Sequence, residues 1–342
     1  MRPIAQTSLV ALTAFSSTAV ATWFTPAAHP APGLGARLRE LDRRLAPLSV
    51  DAHGDLVLEG ANLRILNGLG ATDSADGTGN LVLGYNPGGA LSGSHNFVTG
   101  TGVASSYGGF LAGVGGSLES PLVTVVGGGG HTLTGQLAAA GGGQGTTDVT
   151  LAARAGGFAQ SLPGELSVAL GGTNGVATGR FAVLVGGTNQ TVSGEHAVAI
   201  GGSGHTVEGE QAIVLGGWSL RASGERSIGI GGQTNDATAL RSVAIGGQFN
   251  GALGVDSVTV GGSGNDAVGN CATVIGGVIN AARGTCAVVH GGKENVADGG
   301  FAVVGGGFRN SALGNSSTVS GGSSRSVSGQ EDWRAGQLLE DN

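Results

Sequence analysis

The chain is poor in the residues from which ordinary globular cores and disordered segments are built. Phe, Tyr and Trp together make up only 4 % of its 342 residues, and charged residues make up 11 %. A typical soluble protein has about 25 % charged residues. Because 40 % of the residues are hydrophobic and the net charge is only −7, charge-driven disorder is excluded.

Proline and lysine are scarce as well. With 8 prolines and no glycine at every third residue, the chain is not collagen. Lys293 is the only lysine, and 16 basic residues stand against 23 acidic ones. Nucleic-acid binding needs a basic patch or stripe, so we predict no nucleic-acid partner.

The first 21 residues have the order of an export signal. Arg2 gives a positive start, residues 9–15 are apolar, and Ala19 and Ala21 form a small-residue cleavage site. The apolar stretch is shorter than the roughly 20 residues of a membrane span, and no later segment could cross a membrane as a helix. We therefore expect a signal peptide over residues 1–21 and a mature chain without a transmembrane segment, secreted or displayed on a bacterial cell surface.

A linker and a short helix are predicted next. Residues 22–36 are rich in proline, which is typical of a linker. Over residues 37–49, Leu38, Leu41, Leu45 and Leu48 follow the spacing of an amphipathic helix with an a/d seam. Two interpretations stay open, namely a coiled coil with another chain and a single helix that caps the next domain.

A period of fifteen residues organises residues 156–329. The chain contains 71 glycines, and interior glycines disfavour helices by about 1 kcal/mol each. Gly-Gly pairs begin at positions 156, 171, 186, 201, 216, 231, 246, 261, 276, 291, 306 and 321. A third glycine follows eight residues after the start of each pair, with Ala239 as the one exception. Such strict periodicity indicates a solenoid.

Each period contains two strand-like segments and two glycine-bearing turns. The residues before each pair are β-branched or small, as in SVAI at 242–245, and a second short strand is centred on the column of Ala237 and Ala252. We interpret both glycine positions as corners, because glycine reaches positive φ without steric cost. The prediction is an all-β fold, a parallel β-solenoid or β-roll of 15-residue coils.

The regions that flank the array are interpreted from the same motifs. Residues 50–155 repeat the strand-plus-glycine pattern at spacings of 16, 13 and 14, after an opening β-segment at 55–68. This pattern predicts the same roll with varied loops. Residues 330–342 are polar and charged and are predicted to form a C-terminal cap.

The first strand of each coil is apolar on both sides. Because side chains alternate along a strand, Ser167, Ala182 and Ala197 form a small column on one side, and larger residues lie on the other. A two-layer roll has one interior, so we expect another subunit to cover the second side; the alternative is that both columns fit one interior. The oligomer-facing candidates are Val198, Ile200, Ile213, Leu215, Ile228, Ile230, Val243 and Ile245.

Two further columns are candidate sites. Stacked coils lie about 4.8 Å apart, and asparagine recurs at one position as Asn235, Asn250, Asn265, Asn280, Asn295 and Asn310. We interpret these as a structural ladder, with a polar ligand surface as the alternative; His205 shares the column. Cys271 and Cys286 are one period apart, within reach of a disulfide. A disulfide and a pair of free thiols both stay open.

The repeat phrases resemble a known family. SVAIGG at 242–247 and AVAIGG at 197–202 are similar to the head repeats of trimeric autotransporter adhesins of the YadA type. Residues 67–113 also resemble uncharacterised exported bacterial proteins with glycine-rich repeats. The resemblance covers residues 56–329, although the adhesin repeat usually has 14 residues. It implies a left-handed roll, a homotrimer, and a surface glycan or protein receptor.

We therefore expect a non-enzymatic structural or adhesin-like protein, without catalytic, cofactor-binding or metal-binding residues. The hexapeptide period of acyltransferases and the GGxGxD repeat of calcium-binding rolls are absent. Glycan-cleaving enzymes need clustered carboxylates, whereas Glu195, Glu210 and Glu225 fall in one turn column. Glu208 interrupts the Thr/Ser column that ice binding would need. The alternative is a carbohydrate-binding or carbohydrate-active β-solenoid.

Overall fold

The computed structural model describes residues 33–147, 151–336 and 338–340. The predicted signal peptide and most of the predicted linker lie outside the described residues. The chain divides into two compact units, Met1–Arg64 and Ile65–Asn342, and each is described by itself.

The first unit contains one helix and one β-hairpin. The helix is Leu34–Leu45, so it begins before the predicted start at residue 37. It ends at Leu45, so Leu48 of the predicted seam lies outside the helix, in the strand that follows. Pro47 lacks the backbone N–H that a continuing helix would need. Strands Leu48–Val50 and Leu56–Leu58 pair antiparallel. The second of these strands is the part of the expected opening β-segment, residues 55–68, that forms a strand.

The second unit is a parallel β-solenoid of about 17 turns, which confirms the predicted fold class. In the regular array each coil has a three-residue or shorter first strand and a two-residue second strand, with one longer first strand at the end. The first strands are Val168–Leu170, Val183–Val185, Val198–Ile200, Ile213–Leu215, Ile228–Ile230, Val243–Ile245, Val258–Val260, Thr273–Ile275, Val288–Val289, Val303–Val304 and Thr318–Gly321. The second strands are Val176–Ala177, Thr191–Val192, Thr206–Val207, Arg221–Ala222, Asp236–Ala237, Gly251–Ala252, Asp266–Ala267, Ala281–Ala282, Val296–Ala297, Ser311–Ala312 and Ser326–Val327.

The irregular region belongs to the same sheet. Its strands are Leu81–Leu83, Phe97–Ala104, Phe110–Leu118, Thr124–Gly129, Thr132–Leu133, Ala139–Gly141, Gly145–Thr147 and Ala153–Ala155. The first of the second strands in the regular array, Gln160–Leu162, is one residue longer than those that follow it. Leu81 pairs with Phe97 and Phe97 with Phe110, so the uneven spacings seen in the sequence still bring equivalent residues side by side. The register shifts within these long strands, after Thr101 and after Ala112, and the pairing continues beyond each shift.

A hairpin lies at the other end of the solenoid. Trp333–Ala335 adds in parallel to Thr318–Gly321, and Leu338–Glu340 folds back antiparallel on it. The hairpin occupies the segment where we expect a C-terminal cap. An antiparallel strand ends the run of parallel coils, because it offers no equivalent position for another coil.

The interior between the two strands is lined by small apolar side chains at many positions. Ala237, Ala244 and Ala252 are fully buried, and so is the small column of Ser167, Ala182 and Ala197. Larger side chains such as Leu184 and Leu220 are buried in the same interior, so small and large residues fill it together. Their burial leaves the alternate side chains of each strand pointing away from the interior.

Glycine has two different roles at the corners. In the pairs it adopts positive φ, as at Gly246 (63°) and Gly247 (71°). The third glycine of each coil does not, so its interpretation as a positive-φ corner is wrong. At Gly254 a Cβ would overlap the carbonyl oxygen of Gly269 in the next coil, which makes close packing the reason for glycine there. Some residues other than glycine also take the left-handed conformation, including Phe249 (φ 55°) and Asp256 (φ 58°).

Candidate functional site

One side of the solenoid carries a continuous apolar surface, which we call the outer face. It consists of the outward-pointing residues of eight successive first strands, from Val168–Leu170 to Thr273–Ile275. All of these positions are aliphatic except Thr273. Their inward neighbours, such as Ala199 and Val214, are fully buried. The sheet thus buries one apolar side inside the chain and leaves the other uncovered.

All eight oligomer-facing candidates lie on the outer face. Ile200 is 43 % exposed, and the other seven are half-buried by their neighbours in the ladder. They stack in parallel register, with Val198 against Ile213 and Ile200 against Leu215. The alternative in which both apolar columns share one interior is therefore wrong. These eight residues, which we expect another subunit to cover, are left uncovered by the single chain.

The asparagine column lies inside the roll, so it is not a surface for ligands. All six asparagines are buried. The Oδ1 atom of Asn250 accepts a hydrogen bond from the backbone N–H of Asn265 at 3.0 Å, and the same contact recurs along the column. The Nδ2 group of Asn265 donates to the carbonyl oxygens of Gly261 (3.1 Å) and Gly277 (3.2 Å). These side chains satisfy the backbone polar groups that the glycine corners would otherwise leave buried and unpaired.

His205 occupies the asparagine column and is equally buried. Its Nδ1 atom accepts a hydrogen bond from the backbone N–H of Leu220 at 3.1 Å. Burial lowers the pKa of His205 and so favours the neutral ring. The imidazole therefore acts as a member of the ladder.

The two cysteines are free thiols that contact each other at one corner of adjacent coils. Cys271 is exposed and Cys286 half-buried, and both have positive φ. A hydrogen bond with Cys271, together with desolvation, raises the pKa of the Cys286 thiol. The structure thus shows the free-thiol alternative of the two that the sequence leaves open, in a geometry that keeps both sulfurs adjacent.

A notch interrupts the surface formed by the second strands. Gly251 pairs with Asp236 on one side and Asp266 on the other. The position between the two carboxylates therefore carries no side chain. The notch has a volume of about 200 Å³. Phe249 and Leu253, exposed by 56 % and 41 %, form its apolar walls. A Cβ at Gly251 would lie 2.7 Å from an Asp266 carboxylate oxygen, so a side chain at this position would displace the Asp266 carboxylate.

Both carboxylates of the notch are harder to ionise than usual. Desolvation raises the pKa of Asp236, and Arg221 partly opposes this effect. Desolvation also raises the pKa of Asp266, with Arg283 opposing and the charge of Asp236 adding to the rise. The two groups therefore interact electrostatically across Gly251. As carboxylates they can accept hydrogen bonds from a ligand that lies in the notch.

The notch was not predicted from the sequence, because the acids that drew attention there, Glu195, Glu210 and Glu225, lie in another turn column. The signal that could have revealed it is the order Asp236, Gly251, Asp266 at a fixed spacing of one period. Among the described residues, no cluster of three or more His, Cys, Asp or Glu side chains could hold a metal ion. Among them, too, no helix is long and apolar enough to span a membrane.

The fold defines the chain as a parallel β-solenoid protein with an uncovered apolar face. Comparisons with protein families, curated proteins and solved structures find no match for this chain. The likeness to YadA-type head repeats therefore stays a prediction that rests on the repeat phrases alone.

Proposed function

We propose that the protein is an exported structural or adhesin-like β-solenoid that assembles as a homotrimer and acts without catalysis. It is secreted or held at the bacterial cell surface, where it presents a rigid surface to a glycan or protein receptor. The observation that carries this proposal is the outer face. An apolar surface of this extent on a solenoid is most simply covered by identical copies of the same surface.

The size of the outer face supports assembly. Eight coils at about 4.8 Å and strands of three residues at about 3.3 Å give a strip of roughly 400 Å². Contiguous apolar patches of about 300–600 Å² on a monomer are often functional and mark interaction sites. Burial of such a surface stabilises an assembly by roughly 25 cal/mol per Å² of apolar area removed from water.

The distribution of charge supports the same conclusion. The outer face carries no charged residue over these eight coils. Charged pairs lie at the corners instead, as with Arg226 and Glu225, and Arg241 and Asp256. Protein interfaces have this arrangement, with an uncharged centre and a polar rim.

The test is the mass of the mature chain in solution, measured by light scattering. We expect three times the monomer mass, where the full chain weighs 33.0 kDa. Replacement of both Ile228 and Ile230 by Glu would place charges in the interface, and we expect it to produce monomers or smaller assemblies. Arg221→Glu, at an exposed position of a second strand and outside the outer face, is the control and should leave the mass unchanged. A folded wild-type monomer would refute the proposal.

Carbohydrate binding is the second candidate function, and the notch favours it. Saccharides present hydroxyl groups beside apolar ring faces. The exposed ring of Phe249 offers a stacking surface, while Asp236 and Asp266 offer hydrogen-bond acceptors. Their positions two coils apart give about 9.6 Å between backbones, which a saccharide unit can bridge.

This second candidate is tested by screening soluble oligosaccharides by calorimetry. We expect a binding glycan to lose at least tenfold in affinity on Phe249→Ala or Asp266→Asn. Phe301→Ala, an exposed aromatic outside the notch, is the matched control. Equal glycan affinity in all variants would exclude the notch as the binding site. Release of sugar products by the wild-type chain would contradict the absence of catalysis, whereas binding without turnover agrees with it.

A further inference from the structure

The N-terminal helix carries an apolar stripe that no described residue of its own unit covers. Leu34, Leu38, Leu41 and Leu45 lie along one side and are exposed by 48–74 %, and no residue of the helix is buried. Their spacings of four, three and four residues make them alternate d and a positions of a heptad pattern.

The described residues of the first unit, 33–64, do not hold this helix in place by themselves. The helix has 12 residues, and isolated helices shorter than about 12–15 residues are marginal in water. Its only companion among the described residues is the hairpin, whose Val50 and Leu56 are 67 % and 69 % exposed. An isolated two-stranded hairpin is also marginal. Both elements therefore need a partner beyond residues 33–64 of their own chain.

The charges that flank the stripe identify that partner. Within the helix, Glu40 pairs with Arg43 (2.8 Å) and Arg44 (2.7 Å). Arg37 and Asp42 form no ion pair with any described residue. In the heptad pattern Arg37 is a g position and Asp42 is the following e position. In parallel coiled coils a g residue faces the next e residue of the neighbouring helix, so two copies of this helix would pair Arg37 with Asp42.

We propose that the helix Leu34–Leu45 associates in parallel and in register with the same helix of other copies of this chain. The seam is formed by the four leucines, and the flanking contacts by Arg37 and Asp42. The inference rests on the proposed assembly, because two heptads are too short to hold chains together without a second contact. Assembly through the outer face raises the effective concentration of the helices, and this makes a short seam sufficient.

Cross-linking tests the register directly. In a chain whose native cysteines are replaced by serine, Leu45→Cys at the end of the seam should form interchain disulfides on mild oxidation. Arg39→Cys, on the opposite side of the helix, is the matched control. An antiparallel arrangement would separate the two copies of residue 45, so only parallel pairing gives the expected bond. Equal cross-linking at both positions would overturn the proposal.

Charge reversal tests the flanking contacts. In the Leu45→Cys background, Arg37→Glu should slow cross-linking severalfold, and the double change Arg37→Glu with Asp42→Arg should restore it. Residues 37 and 42 do not face each other within one helix, where neighbours are three or four residues apart. Restoration therefore reports an interchain contact, and its failure would contradict the register proposed here.

The two proposals fail in different ways. An oligomer that gives no excess cross-linking at Leu45→Cys refutes the helix contact and leaves assembly through the outer face in place. A monomer without cross-links refutes both. Cross-linking that persists after replacement of Ile228 and Ile230 by Glu would support the helix contact and show that it is independent of the outer face.

Discussion

At the scale of the residue, the glycines of this protein answer two separate constraints. Gly276 has a φ of 67° and open space where a Cβ would be. Gly284 has no positive φ, but a Cβ there would overlap the carbonyl oxygen of Gly299 in the next coil. The first glycine is required by backbone conformation, and the second by the distance between coils.

This distinction predicts that two glycine substitutions differ in their effect on stability. Gly284→Ala should destabilise the fold by about 3 kcal/mol, because the backbones of adjacent coils must move apart to accept the methyl group. Gly276→Asn should be nearly neutral, because asparagine tolerates the left-handed region. Thermal unfolding followed by circular dichroism measures both. A larger loss at Gly276 than at Gly284 would contradict the steric explanation.

The carboxylates of the notch predict a dependence of stability on pH. The folded-state pKa of Asp266 is raised, mainly by desolvation. Its ionisation therefore costs stability as the pH rises from the unfolded-state pKa through the folded-state value. We expect Asp266→Asn to raise the melting temperature at pH 7 and to have no effect at pH 3, where both side chains are neutral.

Asp256 provides the control with the opposite sign. Its hydrogen bonds with the Arg241 side chain lower its pKa. The stability from this pair is present above the unfolded-state pKa and is lost as the pH falls through the folded-state value. Asp256→Asn should therefore lower the melting temperature at pH 7 and converge with wild type at low pH. Shifts of the same sign in both variants would contradict these assignments.

At the scale of the element, each short strand gains its stability from the coils above and below. A two-residue strand such as Ala281–Ala282 pairs with Asp266–Ala267 and with Val296–Ala297, and inside it the asparagine column continues the hydrogen bonding. Contacts therefore run along columns rather than along the chain. The cysteine pair is one place where such a column could become covalent.

We expect oxidised glutathione to join Cys271 and Cys286 within one chain. The thiols are in contact and at least one is exposed, and a disulfide that closes a loop of about 15 residues stabilises by about 3 kcal/mol. Intact mass should fall by two hydrogens, with a rise in melting temperature. Cys271→Ser and Cys286→Ser are controls that should show neither change. Two thiols that stay titratable after oxidation would contradict this prediction.

At the scale of the whole molecule, the second unit is a one-dimensional array whose coils contact their neighbours. In such arrays stability is close to a sum over repeats and their interfaces. The parallel register places equivalent residues of every regular coil next to each other, as with Val243, Val258 and Thr273. One coil can therefore replace another without changing the contacts around it.

Deletion of a complete coil tests this additivity. Removal of residues 261–275 places Asn280 directly above Asn250 and keeps all columns continuous, so the shortened chain should fold with a modestly lower melting temperature. Removal of residues 261–268 shifts every following column by about half a coil and should prevent cooperative unfolding. Circular dichroism and calorimetry distinguish the two. Equal damage from both deletions would contradict the additive array.

Much of this architecture could be predicted because it is periodic. A repeat of fifteen residues with two β-branched segments admits few packings, so the strands, their parallel register and the inward small residues follow from local preference and alternation. The apolar outward residues, including Ile228 and Ile230, were predictable for the same reason. Periodicity also placed the asparagines in one column.

The remaining features depend on distances between coils, which alternation along the chain does not encode. The steric role of Gly254 arises from the carbonyl oxygen of Gly269, fifteen residues away. The notch exists because Gly251 stands between Asp236 and Asp266 in space. Likewise, the inward direction of the asparagines became clear only from their contacts with the glycine carbonyls of adjacent coils. Composition and period thus determine the coil, whereas the stacking of coils decides which side chains meet.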